Sequence, residues 1–366
     1  MKSVTAAAQP AAEAKGEPPL RLMIVDDSSV ARAVLSRMVG SNSDFELVAV
    51  VGSAVEALDA LRSVPVDIVL LDVEMPGGSG LDALPDIIRA GGGARVLIVS
   101  SMAEKGAETT VRALSLGAAD ALPKPGAGIF GGRFSDVLAE RLRRIGRAAR
   151  RPESDPPAAL GDSIRLRPMG DSPLRCVALG SSTGGFHALT GFLRVLPVEI
   201  GAPILVTQHL PPVFMASFAR QLEAASGRLA RVAEEGQALR SDVIHVAPGD
   251  AHLCLHRHGA EVTVRLDRKA APSGCLPSVD PMLASVADAY GDGAVGVILS
   301  GMGRDGLLGG RRLIDKGGAI LAQDRATSAV WGMPRAVAEA GLASAVLPPP
   351  DLARRVALRA GFQSWK

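Results

Sequence analysis

The stretch "CVALGSSTGGFHALTGFLRVLP", residues 176–197, sets an unbroken apolar run against a glycine-rich corner and then a segment with helical spacing of its apolar residues. A run without polar alternation is the pattern of a strand buried on both faces, and such strands belong to parallel sheets covered by helices. Strand, turn and helix in that order make the first half of a βαβ unit. The same alternation continues through "PILVTQH" (203–209), "DVIHVAPG" (242–249), "AVGVILSG" (294–301) and "AILAQD" (319–324), separated by helical segments such as "FMASFARQLEAA" (214–225). Only "HLCLHR" (252–257) and "EVTVRL" (261–266) alternate residue by residue, as a hairpin does.

Toward the N-terminus the rhythm repeats: "RLMIV" then "VARAVLSRMV", "FELVAVV" then "VEALDALRS", "VDIVLLDV", "RVLIVSS" then "TTVRALSLG", and "DALPKP". A chain of 366 residues has room for two such cores. We therefore expect a flexible tail over 1–19, one domain over 20–138, a linker over 139–172 and a second domain over 173–360. The fold class is α/β, with two doubly wound parallel-sheet domains, the first flavodoxin-like and the second Rossmann-like with a small antiparallel hairpin. The linker is read from its Pro, Gly and polar residues. Its basic run from Arg141 to Arg151 is read as a solvated helix face.

Composition narrows the class further. A net charge of +2 is too near balance to indicate nucleic acid or an acidic membrane surface as partner. The three cysteines Cys176, Cys254 and Cys275 form no CxxC pair, so neither a disulfide framework nor a zinc knuckle is expected, and a reducing cytoplasm fits. The start of the chain has no continuous apolar stretch of signal-peptide type, and no apolar run approaches the ~20 residues that cross a bilayer. A soluble protein is expected.

In the first domain Asp26 and Asp27 follow "LMIV", Asp72 ends "DIVLL", Ser100 follows "VLIV", and Lys124 follows the last short strand. Carboxyl ends of parallel strands line one edge, where ligands bind, so these five should converge. One aspartate alone would read as a helix cap or a strand end. Three clustered carboxylates repel unless a hard cation neutralises them, and Mg²⁺ suits oxygen ligands. An aspartate beside such a cation, with Lys124 and Ser100 to hold incoming oxygens, is a nucleophile toward a phosphoryl group, and Asp72 is the central candidate.

The motifs "VDDS", "LLDVEMP", "VSS" and "PKP" resemble those of two-component receiver domains across about 105 residues. The resemblance implies that Asp72 accepts phosphate from a phosphohistidine kinase, with Asp26, Asp27, Asp72 and the Glu74 carbonyl around Mg²⁺. Ala121 stands where receivers usually carry Tyr or Phe, so Ser100 is left to carry the conformational signal without an aromatic rotamer.

In the second domain, "GSSTG" has the GxSxG form of a nucleophile elbow, with Gly180, Ser182 and Gly184 in place. A phosphate cradle is the competing reading, but the loop has neither the P-loop lysine nor dinucleotide-type spacing. A serine needs a base, and the base an orienting acid. Of six histidines, His209 alone ends a strand on the serine's edge. His187 falls on the next helix, His245 inside a strand, and His252, His256 and His258 at exposed hairpin positions. Asp305, just past "AVGVILSG", is the preferred acid over Asp250, Asp280 and Asp324. Glycines of "GMGRDG" would turn an amide inward as an oxyanion donor beside that of Thr183.

The motifs "LGSSTGG", "TQHLPP", "VAPGDAHL", "PSVD", "GVILSGMGRDG" and "WGMPRAV" resemble the catalytic domain of the chemotaxis protein-glutamate methylesterases, the CheB family, over about residues 175–345. The resemblance implies Ser182 as nucleophile, His209 as general base, Asp305 as orienting acid, and the Thr183 and Met302 amides as oxyanion hole, with no cofactor in this half. It also implies demethylation of glutamate methyl esters on chemoreceptor helices, glutamine deamidation, and a histidine kinase as phosphodonor. A phospho-regulated binding module, or an esterase for another acyl substrate, is the alternative.

Overall fold

The computed structural model describes residues 18–75, 80–100, 104–124, 132–150 and 164–362. The tail before residue 18 and the Pro-rich part of the expected linker lie outside these residues.

The first unit comprises β1 (Leu20–Val25), α1 (Ser29–Gly40), β2 (Phe45–Val51), α2 (Ala54–Leu61), β3 (Ile68–Leu71), α3 (Gly80–Ala90), β4 (Arg95–Ser100), α4 (Glu104–Ser115), β5 (Asp120–Pro123) and α5 (Gly132–Arg150). Its five strands are parallel in the order β2-β1-β3-β4-β5. Every residue of β3 is buried, as a strand covered on both faces requires. Ser28 and Ser53 start α1 and α2 by accepting the Ala31 and Glu56 amides. The chain winds outward in both directions from β1 and β3, so the ligand crevice falls where Asp26 and Asp72 emerge.

The part of α5 from residue 139, read as the start of the linker, continues the helix of this unit. Leu138, Leu142 and Ile145 of α5 are buried in one cluster with Leu20 and Ile68, and a Cβ on Gly146 would lie 2.5 Å from the Leu20 side chain. The apolar stripe at helical spacing outweighs the basic composition that suggested a solvated segment.

The second unit comprises β6 (Cys176–Ser181), α6 (Gly185–Val195), β7 (Ile204–Gln208), α7 (Pro212–Ser226), β8 (Ala230–Val232), β9 (Ile244–Val246), β10 (His252–His258), β11 (Glu261–Asp267), α8 (Val279–Tyr290), β12 (Ala294–Ile298), α9 (Leu307–Asp315), β13 (Ala319–Gln323), α10 (Met333–Glu339), β14 (Ala343–Leu347) and α11 (Pro349–Arg359). Seven strands form one parallel sheet in the order β14-β13-β12-β6-β7-β9-β8. β10 and β11 make the antiparallel hairpin, turning at Gly259 with φ 59°. Strand order reverses between β6 and β12, and that switch point carries Ser182 on one side and the "GMGRDG" loop on the other.

The two units pack directly. α4 lies against α7, and Leu114 and Ala118 share a buried apolar cluster with Phe186 and Leu210. Among the described residues, no helix is long and apolar enough to cross a membrane.

Candidate active site

The serine corner is shaped by short backbone bonds. The Ser182 amide donates to the Ser300 carbonyl at 3.0 Å, and the Gly185 amide donates back to the Ser182 carbonyl at 2.8 Å. Gly184 caps α6 in the left-handed region at φ 72°, and a Cβ there would sit 2.3 Å from the Ala329 Cβ. Conformation and space thus both require glycine. Gly184→Ala is expected to destabilise the protein by about 2–4 kcal/mol, combining left-handed strain with overpacking. Urea unfolding would register this as a lower midpoint with unchanged slope.

Side chains that the motif did not mark hold the turn from below. Gln208 Nε2 donates to the Ser182 carbonyl at 2.8 Å, while Ser181 Oγ donates to Gln208 Oε1 at 2.6 Å. Ser300 Oγ donates to the Thr183 carbonyl at 2.8 Å and accepts the Val330 amide at 3.0 Å. Gly301 approaches so closely that its Cβ would meet the Ser182 amide nitrogen at 3.0 Å, which brings the Met302 segment beside the serine. Neither the Thr183 nor the Met302 amide donates to another described residue.

His209 follows β7, and its amide donates to the Ser181 carbonyl at 3.2 Å. Its Nε2 lies 2.8 Å from Asp305 Oδ2. Asp305 sits at the N-terminus of α8: Oδ2 also accepts the Val279 amide at 2.7 Å, and Oδ1 accepts Ser278 Oγ at 2.7 Å and the Asp280 and Gly306 amides. Burial would raise this carboxyl, but the His209 hydrogen bond and charge, then the Val279 amide and Ser278 hydroxyl, outweigh it and hold it at about 2. For His209 burial pulls downward, yet the Asp305 hydrogen bond, reinforced by Cys275, lifts the imidazole to about 9. Among the described residues Ser182 Oγ makes no hydrogen bond, so serine and histidine share an edge without the expected contact. Catalytic bonds of this kind often close only around substrate.

A general base must be neutral, and an imidazole with a pKa of about 9 is mostly protonated at pH 7. Ester hydrolysis, measured as kcat/KM, is therefore expected to climb about tenfold per pH unit from 7 toward 9. Asp305→Asn should move that limb down toward the ordinary imidazole value near 6.5 while lowering the plateau. A flat profile from 7 to 9 would rule out the paired imidazole as the base.

His252 departs from the reading of the hairpin. It is buried, because the start of β10 is covered on both faces. Its Nδ1 accepts the Ser278 amide at 2.9 Å, so Nε2 carries the proton and donates to the Lys269 carbonyl at 2.8 Å. His252 thereby fixes Ser278, whose hydroxyl holds Asp305. The rival acids are engaged elsewhere: Asp280 with the Gly309 amide, Asp250 with Arg268, and Asp324 with Thr327.

In the first unit, carboxylate oxygens of Asp26, Asp27 and Asp72 lie within 4.8 Å of one another. Lys124 Nζ is 2.8 Å from Asp26 Oδ2 and 2.6 Å from Asp72 Oδ2. Burial alone would lower the Lys124 pKa, but the two carboxylates raise it above the ordinary lysine value. The Glu74 amide donates to Asp72 Oδ1 at 2.9 Å, keeping that main chain beside the pocket. Asp26 Oδ2 is buried and accepts no well-aligned hydrogen bond even from Lys124, so it offers a free lone pair of the kind a hard cation takes. These donors fit Mg²⁺. Ser100 is fully buried at the end of β4, its Oγ 3.4 Å from the Gly106 carbonyl.

The two sites meet. The Gly184 amide donates to the Ala119 carbonyl at 2.8 Å, and Thr183 Oγ1 donates to Asp120 Oδ2 at 2.9 Å. Arg141 of α5 pairs with the other Asp120 oxygen at 2.8 Å. Between Ala119, Asp120, Ser182 and Gln208 there remains a cavity of about 10 Å³, room for about one water.

A unit whose strand ends carry three carboxylates and a lysine, packed through α4 and the start of β5 against a unit whose edge carries serine, histidine and aspartate, defines the class, a response regulator with an enzymatic output unit. Residues 177–356 match the family model described as CheB methylesterase, and residues 22–128 that of the response regulator receiver domain. Protein-glutamate methylesterase/protein-glutamine glutaminase 1 of Paramagnetospirillum magneticum is 39% identical over 91% of this chain and 94% of its own. The corresponding protein 2 of Caulobacter vibrioides is 42% identical over 93% of this chain and 99% of its own. The crystal structure of the Thermotoga maritima CheB methylesterase catalytic domain is 36% identical, covers 50% of this chain and 98% of its own, and has a TM-score of 0.49. The chain belongs to the CheB methylesterase family.

Proposed function

We infer that this protein is a phosphorylation-activated hydrolase that removes methyl esters from glutamates of chemoreceptors and deamidates receptor glutamines. The observation that carries the chemistry is the His209–Asp305 pair at 2.8 Å on the edge where the glycine turn presents Ser182. Ser182 Oγ attacks the γ-carbonyl, His209 takes its proton, and the Thr183 and Met302 amides receive the oxyanion. Methanol, or ammonia from a glutamine, leaves with that proton. Water then attacks the acyl-enzyme through His209, restoring Ser182 and releasing glutamate. Asp305 holds the imidazole and stabilises its charged form.

In the receiver, Asp72 is the acceptor of phosphate from a histidine kinase, and Lys124 and Ser100 would meet the phosphoryl oxygens. Asp26, Asp27, Asp72 and the Glu74 carbonyl would hold Mg²⁺, which supplies neutralising charge during transfer. In the unphosphorylated chain the Ala119 and Asp120 contacts keep the receiver over the serine turn, and phosphorylation shifts the population away from that closed state.

The test is methanol release from methylated chemoreceptor membranes, with a small-molecule phosphodonor and Mg²⁺. Release is expected, and it should rise with phosphodonor. A folded protein whose Asp72 takes phosphate but which releases no methanol would point instead to a phospho-regulated binding module. The paired, buried Asp305 disfavours that alternative, because binding alone gives no use for a charged histidine–aspartate pair at the edge.

A further inference from the structure

Beside the catalytic pair lies a group that the hydrolysis does not use. One ring nitrogen of His209, Cys275 Sγ and one carboxylate oxygen of Asp305 all fall within 4.8 Å of one another. Cys275 is half-buried in the loop between β11 and α8, with its amide bonded to Ser273 Oγ at 3.3 Å and its Sγ 3.8 Å from the Ser273 carbonyl. The loop therefore folds back on itself. It presents the thiol to the imidazole from one side, while Ser278 and the first turn of α8 hold Asp305 from the other.

We propose that His209, Cys275 and Asp305 form an inhibitory site for a thiophilic divalent cation of the Zn²⁺ class. Imidazole nitrogen, thiolate sulfur and carboxylate oxygen are all ordinary zinc ligands, and three of them leave a fourth position for water. Bonds of about 2.0–2.3 Å at tetrahedral angles put ligand atoms about 3.3–3.6 Å apart, so the His209–Asp305 pair, now at 2.8 Å, opens slightly while Cys275 Sγ, within 4.8 Å of both, draws in. The hydrogen bonds that Asp305 already accepts from Ser278 and the Val279 amide are the outer-shell support that orients a ligating carboxylate. On binding, the ion displaces the thiol proton of Cys275 and the proton shared by His209 and Asp305, and both pass to solvent. His209 can then no longer accept the Ser182 proton, and hydrolysis stops. The sulfur ligand makes the site indifferent to Mg²⁺, which prefers oxygen donors, so the ion that serves the receiver does not occupy the hydrolase.

This proposal rests on the hydrolase reading for its consequence but not for its detection. The experiment uses the full chain in excess Mg²⁺, to fill the receiver carboxylates, and compares it with Cys275→Ala and Cys275→Ser. Co²⁺ is titrated as a spectroscopic substitute, and the near-ultraviolet thiolate-to-cobalt charge-transfer band is recorded. Zn²⁺ is titrated in parallel against methanol release, with a chelator added at the end. The native chain should show the band and lose at least about tenfold of its activity at saturating Zn²⁺, with recovery on chelation. Both variants should lack the band and need at least about tenfold more Zn²⁺ for half-inhibition, each judged against its own zinc-free rate. Absence of the band in the native chain, or equal zinc sensitivity in the variants, overturns the proposal. A Cys275-dependent band in a protein that releases no methanol under any condition would sustain the metal site and remove the hydrolase reading instead.

Discussion

Ser182→Ala should lower methanol release by about 10⁴-fold or more, measured with phosphodonor and Mg²⁺ present. The size follows from the role: without the hydroxyl there is no acyl-enzyme, and only water positioned by the oxyanion donors and the substrate site remains. The comparison is clean because Ser182 Oγ makes no hydrogen bond to a described residue. Its removal orphans no buried partner, and the variant's stability should stay within about 0.5 kcal/mol of the native chain. The backbone bonds that shape the turn, to Ser300 and Gly185, do not involve the side chain. Phosphorylation of Asp72 should continue unchanged. A variant that kept its rate within tenfold would show that Ser182 is not the nucleophile, however well the fold matched its relatives.

Deleting residues 1–150 should raise basal hydrolysis by on the order of 10- to 100-fold, the gain expected when a closed state holding about 90–99% of molecules is removed. The structural reason is local. Ala119 and Asp120 of the receiver take hydrogen bonds from the Gly184 amide and the Thr183 hydroxyl, at the turn that must receive substrate. These two bonds hold the start of β5 directly on the turn, so a receptor helix has no way in on that side. Asp120 opens β5, and Lys124, which bridges Asp26 and Asp72, lies just past the end of the same strand. A phosphoryl group on Asp72 would compete for Lys124, and β5 would be the element connecting that change to Asp120. Truncation also exposes Phe186 and Leu210, so Asp120→Ala in the full chain is the second probe. It should give a smaller rise while preserving the covered apolar surface. If the truncated protein were no faster than the full chain, steric cover by the receiver would not be what restrains the enzyme.

The sequence by itself determined the fold class, because buried strands and amphipathic helices announce themselves through the local period of their apolar residues. It also determined the addresses of Ser182, His209, Asp305, Asp26, Asp72 and Lys124, since each directly follows or lies just past an apolar run and parallel strands end on a common edge. Tertiary structure alone decided what stands behind those addresses. Gln208, Ser300, His252 and Ser278 support the site from distant points in the chain, and Cys275 meets His209 only because its loop folds back. The part of α5 beyond residue 138, read as linker, packs in the receiver core through Leu142 and Ile145. The closed arrangement, with Thr183 held by Asp120 and Ser182 not yet bonded to His209, is likewise a property of packing. Local period records which residues are buried, whereas side-chain direction and the approach of remote segments are set by how the whole core fills space.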